Sequence, residues 1–257
     1  MNITDDRIKF LRLLSEKYRS RQQVCTEIIN LQAILNLPKG TEHFMSDLHG
    51  EYEAFSHILN NSAGVIREKV DMLFEGTLTP RERSSLCTLI YYPEEKLEKI
   101  NEEGRNTEEW YRFVLQNLID LAKMLSSKYT RSKVRKAMPS EYSYILDELL
   151  HAQADEDNNQ FVYHQKIIDT LLKLGEGDDF IIALSSLIKR LAVDHLHIVG
   201  DIFDRGERPD AILNMLMQHH SLDIEWGNHD ILWMGAACGS QACIAAVVRN
   251  CLSYNNI

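Results

Sequence analysis

Three short polar blocks, each placed after a segment typical of a β-strand, constrain the fold of this chain more than any other feature. A helical pattern follows each block, and strands are predicted at 41–46, 193–199 and 223–226. A strand, polar block and helix repeated three times predicts an α/β fold with its site at the carboxyl ends of the strands. The blocks are Asp47-Leu48-His49-Gly50, Gly200-Asp201-Ile202-Phe203-Asp204-Arg205-Gly206 and Gly227-Asn228-His229-Asp230.

The region between the first and second blocks is almost entirely helical in pattern. Thr79, Pro80 and Glu82 predict one helix start there, with a capping box between the threonine and the glutamate. We therefore expect a large all-helical insertion, with a solvated acidic loop at 155–157. The predicted parts are N-terminal helices at 1–40, core with the first block at 41–62, the insertion at 63–191, and core with the other blocks at 192–257.

Charge and cysteine usage narrow the class of protein. The net charge of −10 argues against binding to nucleic acid or to anionic membranes, since both select basic surfaces. The five cysteines are odd in number and lack the spacing of a zinc site, so reduced thiols in the cytoplasm are expected. The first residues have neither a basic segment nor an apolar run, and no secretory signal is predicted.

One uncharged stretch, 231–248, has the length at which a membrane-spanning helix becomes conceivable. Gly235, Gly239, Ser240 and Gln241 interrupt it near the middle, and much of the remainder is alanine and cysteine. The composition therefore favours two short buried helices over membrane contact.

The residue types in the three blocks are those that bind divalent cations. Asp47 and His49 lie two apart after a strand, so both side chains can reach one metal. Asp201, at the end of the second strand, is the candidate carboxylate that bridges two metals, and Asn228 offers a neutral oxygen to the second. The metal could be manganese, iron, zinc or magnesium on this donor set alone.

Three further residues are candidates for the catalytic chemistry of phosphate-ester hydrolysis. His229 is the candidate general acid, and Asp204 the candidate acceptor that keeps it protonated. Arg205 carries the planar fork that binds phosphate oxygens in a bidentate way. In such a site, paired cations activate a water that attacks phosphorus in line.

Two histidines outside the blocks invite a metal-site interpretation as well. His195 and His197 form a His-x-His pattern on the second predicted strand. Because they lie on the strand and not at its end, packed or hydrogen-bonded histidines are the favoured interpretation.

The three blocks, in this order, resemble the signature of the calcineurin-like metallophosphatase superfamily. Together with the long insertion and the sequence after Gly227, the chain looks like the bacterial class III fructose-1,6-bisphosphatases. The resemblance implies an α/β metallophosphatase sandwich and hydrolysis of fructose 1,6-bisphosphate to fructose 6-phosphate in gluconeogenesis. It implies a small-molecule sugar bisphosphate as the substrate and a two-metal site, with Mn2+ as the expected cofactor.

One departure from that pattern affects the second metal. Members of the superfamily supply further histidine ligands after the third block, whereas no histidine follows His229 in this sequence. We therefore expect an N-terminal portion of a longer protein, with an incomplete sandwich, weak binding of the second metal, and slow or no hydrolysis of phosphate esters by these residues alone.

Other functions stay open at this point. A phosphoprotein phosphatase or a dinucleoside-polyphosphate hydrolase would use the same two-metal hydrolysis of phosphate esters. An inactive fragment that acts as an interaction module would not. The helical insertion is a candidate for effector binding or for contacts in a homo-oligomer, and its residues do not distinguish these roles.

Overall fold

The computed structural model describes residues 4–151 and 158–255, and it is a mostly helical α/β fold with one small parallel sheet. The predicted acidic loop at 155–157 lies outside the described residues. Short 3-10 turns occur at Ser62–Gly64 and Ser140–Tyr142. The elements are α1 (Asp5–Lys17), α2 (Arg21–Ile34), β1 (Glu42–Met45), α3 (Tyr52–Asn60), α4 (Val65–Phe74), α5 (Pro80–Tyr91), α6 (Pro93–Glu102), α7 (Glu108–Ser126), α8 (Arg131–Ala137), α9 (Ser143–Leu150), α10 (Asn158–Leu174), α11 (Gly177–Ala192), β2 (His195–Val199), α12 (Pro209–Met217), β3 (Leu222–Glu225), α13 (Asn228–Ala237) and α14 (Gln241–Tyr254).

The sheet has the strand order β1-β2-β3, and both neighbouring pairs are parallel. Met45 pairs with Ile198, and Val199 with Glu225, so the three carboxyl ends meet at one edge. The three predicted strands are confirmed to within two residues at each end. The described residues contain this single sheet, and the second sheet of the expected sandwich is not among them.

Two hydrophobic cores support the fold. The larger core is helical and centres on α7 and α11, whose apolar faces include Leu118, Leu121, Leu184 and Leu187, all fully buried. The smaller core packs Leu196 and Ile198 of β2 against α3 and α12.

The two ends of the helical region between β1 and β2 lie close together. Lys189, near the end of α11, donates from Nζ to Oδ1 of Asn60 at the end of α3, at 3.2 Å. The capping box at the start of α5 is confirmed: the Thr79 backbone N–H donates to Glu82 at 2.7 Å, and the Glu82 N–H donates to Thr79 Oγ1 at 3.3 Å.

The uncharged stretch after the third block forms two helices, as predicted, but the expected burial is wrong. Only Asp230 is buried in α13, and no residue is buried in α14. No single helix in the described ranges is long and apolar enough to cross a membrane, although α13 and α14 pass that test as a pair, with a bend of 118° between them. The apolar composition of this stretch predicted a position in the core. Little of the described chain, however, packs against α13 and α14.

Candidate metal centre

Backbone hydrogen bonds join the loops that carry the first two blocks. The N–H of His49 donates to the carbonyl of Asp201, and that of Gly50 to the carbonyl of Ile202, each at 2.8 Å. In return, the N–H of Gly206 donates to the carbonyl of His49 at 2.6 Å. The parallel ladder thus continues past the strand ends, and the two loops form one rigid unit.

Three of the predicted metal ligands have a left-handed backbone. The φ angles are 57° at Asp47, 48° at His49 and 57° at Asp201. Non-glycine residues rarely adopt this conformation, which costs on the order of 1–3 kcal/mol and persists only where surrounding contacts impose it. These contacts are the loop-to-loop hydrogen bonds described above.

Glycines allow the three loops to approach each other closely. A Cβ atom added at Gly50 would lie 2.5 Å from the carbonyl oxygen of Gly206, and one at Gly200 would lie 2.7 Å from Gly227 Cα. A Cβ atom at Gly227 would overlap the carboxylate of Asp201. The close approach of the loops therefore explains these glycines, because a side chain would not fit at these positions. At Gly227 a side chain would collide with Asp201, a predicted metal ligand.

Asp230 holds two of the loops together, a role that sequence reasoning missed. Its buried carboxylate accepts four backbone N–H groups: those of Asp201 and Gly227 at 2.8 Å, Ile202 at 2.9 Å and Phe203 at 3.0 Å. Its position at the start of α13 adds the favourable interaction between a carboxylate and the N-terminus of a helix. Asp230 therefore positions the loop of Asp201.

The first two predicted ligands lie side by side. His49 Nε2 is 3.4 Å from Asp47 Oδ1, so one cation can contact both. The other ring nitrogen, Nδ1, is buried and has no hydrogen-bond partner among the described residues, with Asp204 Oδ2 at 3.7 Å. A carboxylate on the far side of a histidine ligand is the usual arrangement in metal sites, since it orients the ring and fixes its tautomer.

Asp204 lies between two histidines. Its Oδ1 atom is 3.2 Å from His229 Nδ1, and it accepts a hydrogen bond from Asn250 Nδ2 at 2.6 Å. The rings of His49 and His229 meet edge to face at 5.8 Å between centroids. Asn250 belongs to α14 and was missed in the sequence, because no motif surrounds it.

The two remaining predicted residues are more exposed. Arg205 is half-exposed, and its Nε atom lies 3.7 Å from Glu51 Oε1, so a carboxylate is its observed neighbour. Asn228 is exposed at the first position of α13. The N–H of the next residue, His229, donates to Asp201 Oδ1 at 3.1 Å, which brings the third block against the second.

The donor set fits divalent cations. Two carboxylates, one imidazole and one amide oxygen are hard or borderline donors, suited to manganese, iron, zinc or magnesium. The position of Asp204 behind His49 supports this fit, because a carboxylate near Nδ1 orients the ring so that Nε2 faces Asp47.

A second group with metal-ligand chemistry lies on the sheet itself. His195, His197 and Asp223 each offer a ligand atom, and these atoms lie within 4.8 Å of one another. His195 is hydrogen-bonded to Asp223 at 2.9 Å, and His197 stacks on Phe44 at 4.4 Å between ring centroids. These contacts agree with the hydrogen-bonded and packed histidines that the sequence favoured.

Fold and site together define an α/β protein whose candidate metal ligands lie in loops at the carboxyl ends of parallel strands. Residues 9–257 match the family described as Firmicute fructose-1,6-bisphosphatase. The chain belongs to this family.

Curated relatives agree over the whole chain. The class 3 fructose-1,6-bisphosphatase of Clostridium tetani is 55% identical over 257 residues, which is 100% of this chain and 39% of that protein. A class 3 enzyme of Clostridium beijerinckii is 53% identical over 256 residues, and one of Clostridium botulinum strain Loch Maree is 53% identical over 257, each covering 38% of the relative. The chain thus spans less than two fifths of the length of these relatives. No solved structure matches it significantly.

Proposed function

We propose that this chain contributes the metal-binding part of a phosphomonoesterase that hydrolyses fructose 1,6-bisphosphate to fructose 6-phosphate and phosphate. The observation that carries the proposal is the convergence of three loops at one sheet edge, with Asp204 between His49 and His229. Family membership supports the substrate, since the curated relatives are named for it. The small sheet would then form part of a metallophosphatase sandwich.

Four residues of this chain would hold the metals. Asp47 and His49 would bind one cation, Asp201 would bridge, and Asn228 would bind the second. Mn2+ is the proposed cofactor, and when bound it would supply Lewis acidity and an activated water. The chain's own contribution is to hold these side chains in place, because backbone hydrogen bonds join the loops that carry them.

Proton transfer falls to His229. Its Nδ1 atom faces Asp204, so a proton held at Nε2 can be delivered to the sugar oxygen that leaves phosphorus. Arg205 is half-exposed, and its guanidinium is a fork of donors that can bind a phosphate group in a bidentate way. A bound substrate would therefore meet Arg205, the proton of His229 and the residues that would hold the metals at one edge of the sheet.

Phosphate release with Mn2+ tests the proposal. Because the chain spans less than two fifths of the length of the relatives, we expect slow release of phosphate, from fructose 1,6-bisphosphate in preference to a phosphoserine peptide or a dinucleoside polyphosphate. We expect Asp201→Asn to abolish the release. Asp210→Asn, an exposed carboxylate paired with Arg208, serves as the control and should leave the rate unchanged. Equal rates for the wild type and Asp201→Asn, or preference for another substrate, would reject it.

The cytoplasm is the proposed compartment, because all five cysteines are free thiols. Assembly into a homo-oligomer through the exposed helices is compatible with this function and is measurable by the mass of the protein in solution.

A further inference from the structure

We propose that His195, His197 and Asp223 form a second, separate binding site for a transition-metal cation of the zinc type. The three residues lie on the sheet face opposite the smaller core, since Leu196 and Ile198 alternate with the two histidines and point into that core. Strand β2 therefore presents both imidazoles on one side. The parallel register places Asp223 of β3 directly beside His197.

The distances between the donor atoms match one shared cation. Asp223 Oδ2 lies 2.9 Å from His195 Nε2 and 3.4 Å from His197 Nδ1. Tetrahedral zinc, with bonds of about 2.0 Å, holds its nitrogen and oxygen ligands about 3.3 Å apart. A cation can therefore replace the proton between the carboxylate and the imidazoles with only small movements of the side chains.

A neighbouring hydroxyl prepares one ligand. Ser221 Oγ is 2.5 Å from His195 Nδ1, on the side of the ring away from Asp223. Nε2 donates to the Asp223 carboxylate, so Nδ1 accepts from this hydroxyl. When a cation takes the place of the Nε2 proton, the proton moves to Nδ1 and the hydroxyl can rotate to accept it. Such a partner behind a histidine ligand orients the ring and raises its affinity for metal.

The ligand set also selects the cation. Two imidazole nitrogens and one carboxylate suit Zn2+, Co2+ or Ni2+ better than Mg2+ or Ca2+, which prefer all-oxygen sites. Asp223 is 67% exposed, so water can complete the coordination and the cation can enter from solvent.

The site is distinct from the candidate centre at the strand ends. His197 lies within β2, whereas Asp201 lies in the loop that follows the end of β2 at Val199. The two sites share no ligand, and the inference does not depend on the proposed hydrolysis.

Cobalt binding tests the inference without an activity assay. The double variant Asp47→Asn/Asp201→Asn disables the strand-end centre, and after treatment with a chelator it is titrated with Co2+. We expect one Co2+ per chain by elemental analysis, with the visible absorption of a nitrogen-ligated site. Adding His195→Ala and His197→Ala should abolish both signals, and circular dichroism checks that this variant is folded.

Two further variants keep the test independent of folding. In the same background, Asp223→Asn preserves the shape of an exposed side chain and should strongly weaken Co2+ binding, and Ser221→Ala should weaken it about tenfold. Glu225→Gln, an exposed carboxylate two residues along β3, is the matched control and should change nothing. Absence of binding by the background variant, or equal binding by Asp223→Asn, would overturn the inference.

Discussion

The carboxylate of Asp230 accepts the backbone N–H of Asp201 at 2.8 Å, so a residue of the third block fixes the loop of the second. The same carboxylate holds Gly227, and the loops of β2 and β3 are joined through one side chain. This contact gives the centre its rigidity at a position that need not touch metal.

Replacing Asp230 with asparagine should destabilise the fold and weaken metal binding together. Each carboxylate oxygen accepts two N–H groups, and an asparagine amide would leave one pair facing an NH2 group. We expect a loss of about 1–3 kcal/mol in the free energy of unfolding, measured by urea denaturation. Asp210→Asn, at an exposed site, should cost less than about 1 kcal/mol, and equal losses in the two variants would contradict this role.

Gly227→Ala should impair metal binding through steric displacement of Asp201. The added methyl group overlaps the Asp201 carboxylate, so either the ligand or the loop must move. We expect Mn2+ affinity to fall about tenfold or more, measured by calorimetric titration.

Gly104→Ala separates this effect from general loss of stability. Gly104 has a φ of 63° and nothing within 4 Å of its Cβ position, so alanine there meets only backbone strain of about 1–2 kcal/mol. Its Mn2+ affinity should equal that of the wild type, whereas an equal fall in both variants would remove the steric explanation.

Asn250→Ala tests the group that positions Asp204. This prediction rests on the proposed hydrolysis. The amide donates to Asp204 Oδ1, the oxygen that faces His229, so its loss removes one of the contacts that hold the carboxylate against the histidine. We expect kcat to fall about tenfold with little change in KM, and partial recovery with Asn250→Gln. Ser253→Ala, on the same helix, should have no effect, and a change confined to KM would argue against positioning.

His220 should make the stability of the fold depend on pH. Partial burial of its ring, with His219 and Arg190 nearby, lowers the pKa from 6.5 to about 4. The folded state therefore favours the neutral ring, and its contribution is complete above pH 6.5 and is lost as the pH falls towards 4.

The measurement compares urea midpoints at pH 7 and pH 5.5. The wild type should lose more stability over this interval than His220→Asn, which cannot take up the proton. An identical change in the urea midpoint for the two proteins would show that the ring has the same pKa in the folded and unfolded states.

The sequence predicts the strand ends well because the polar blocks and apolar strands are local signals. The order of β1, β2 and β3 along the chain, and the capping box of Thr79, also follow from residues close in sequence. These features depend on backbone geometry that a few neighbouring residues determine.

The remaining features depend on contacts between distant residues. Aspartate is a residue type that often binds metals, so the sequence alone does not distinguish Asp230 from a metal ligand. Only the four N–H groups around its carboxylate reveal a structural role. Asp223 lies beside His197 through strand register, and Asn250 reaches Asp204 from a helix without a motif. The exposure of α14 was mispredicted because composition alone does not show what packs against a helix.

The position of the helical insertion has a consequence for folding kinetics. Strands β1 and β2 pair in register although residues 46–194 lie between them, a separation whose loop-closure entropy opposes early pairing. Once the helical core has formed, the contact between Lys189 and Asn60 holds the two connecting segments together, so closing the sheet requires only a short search. The strained loops at Asp47 and Asp201 should thus reach their native conformation last, at a rate that the folding of a distant helical region controls.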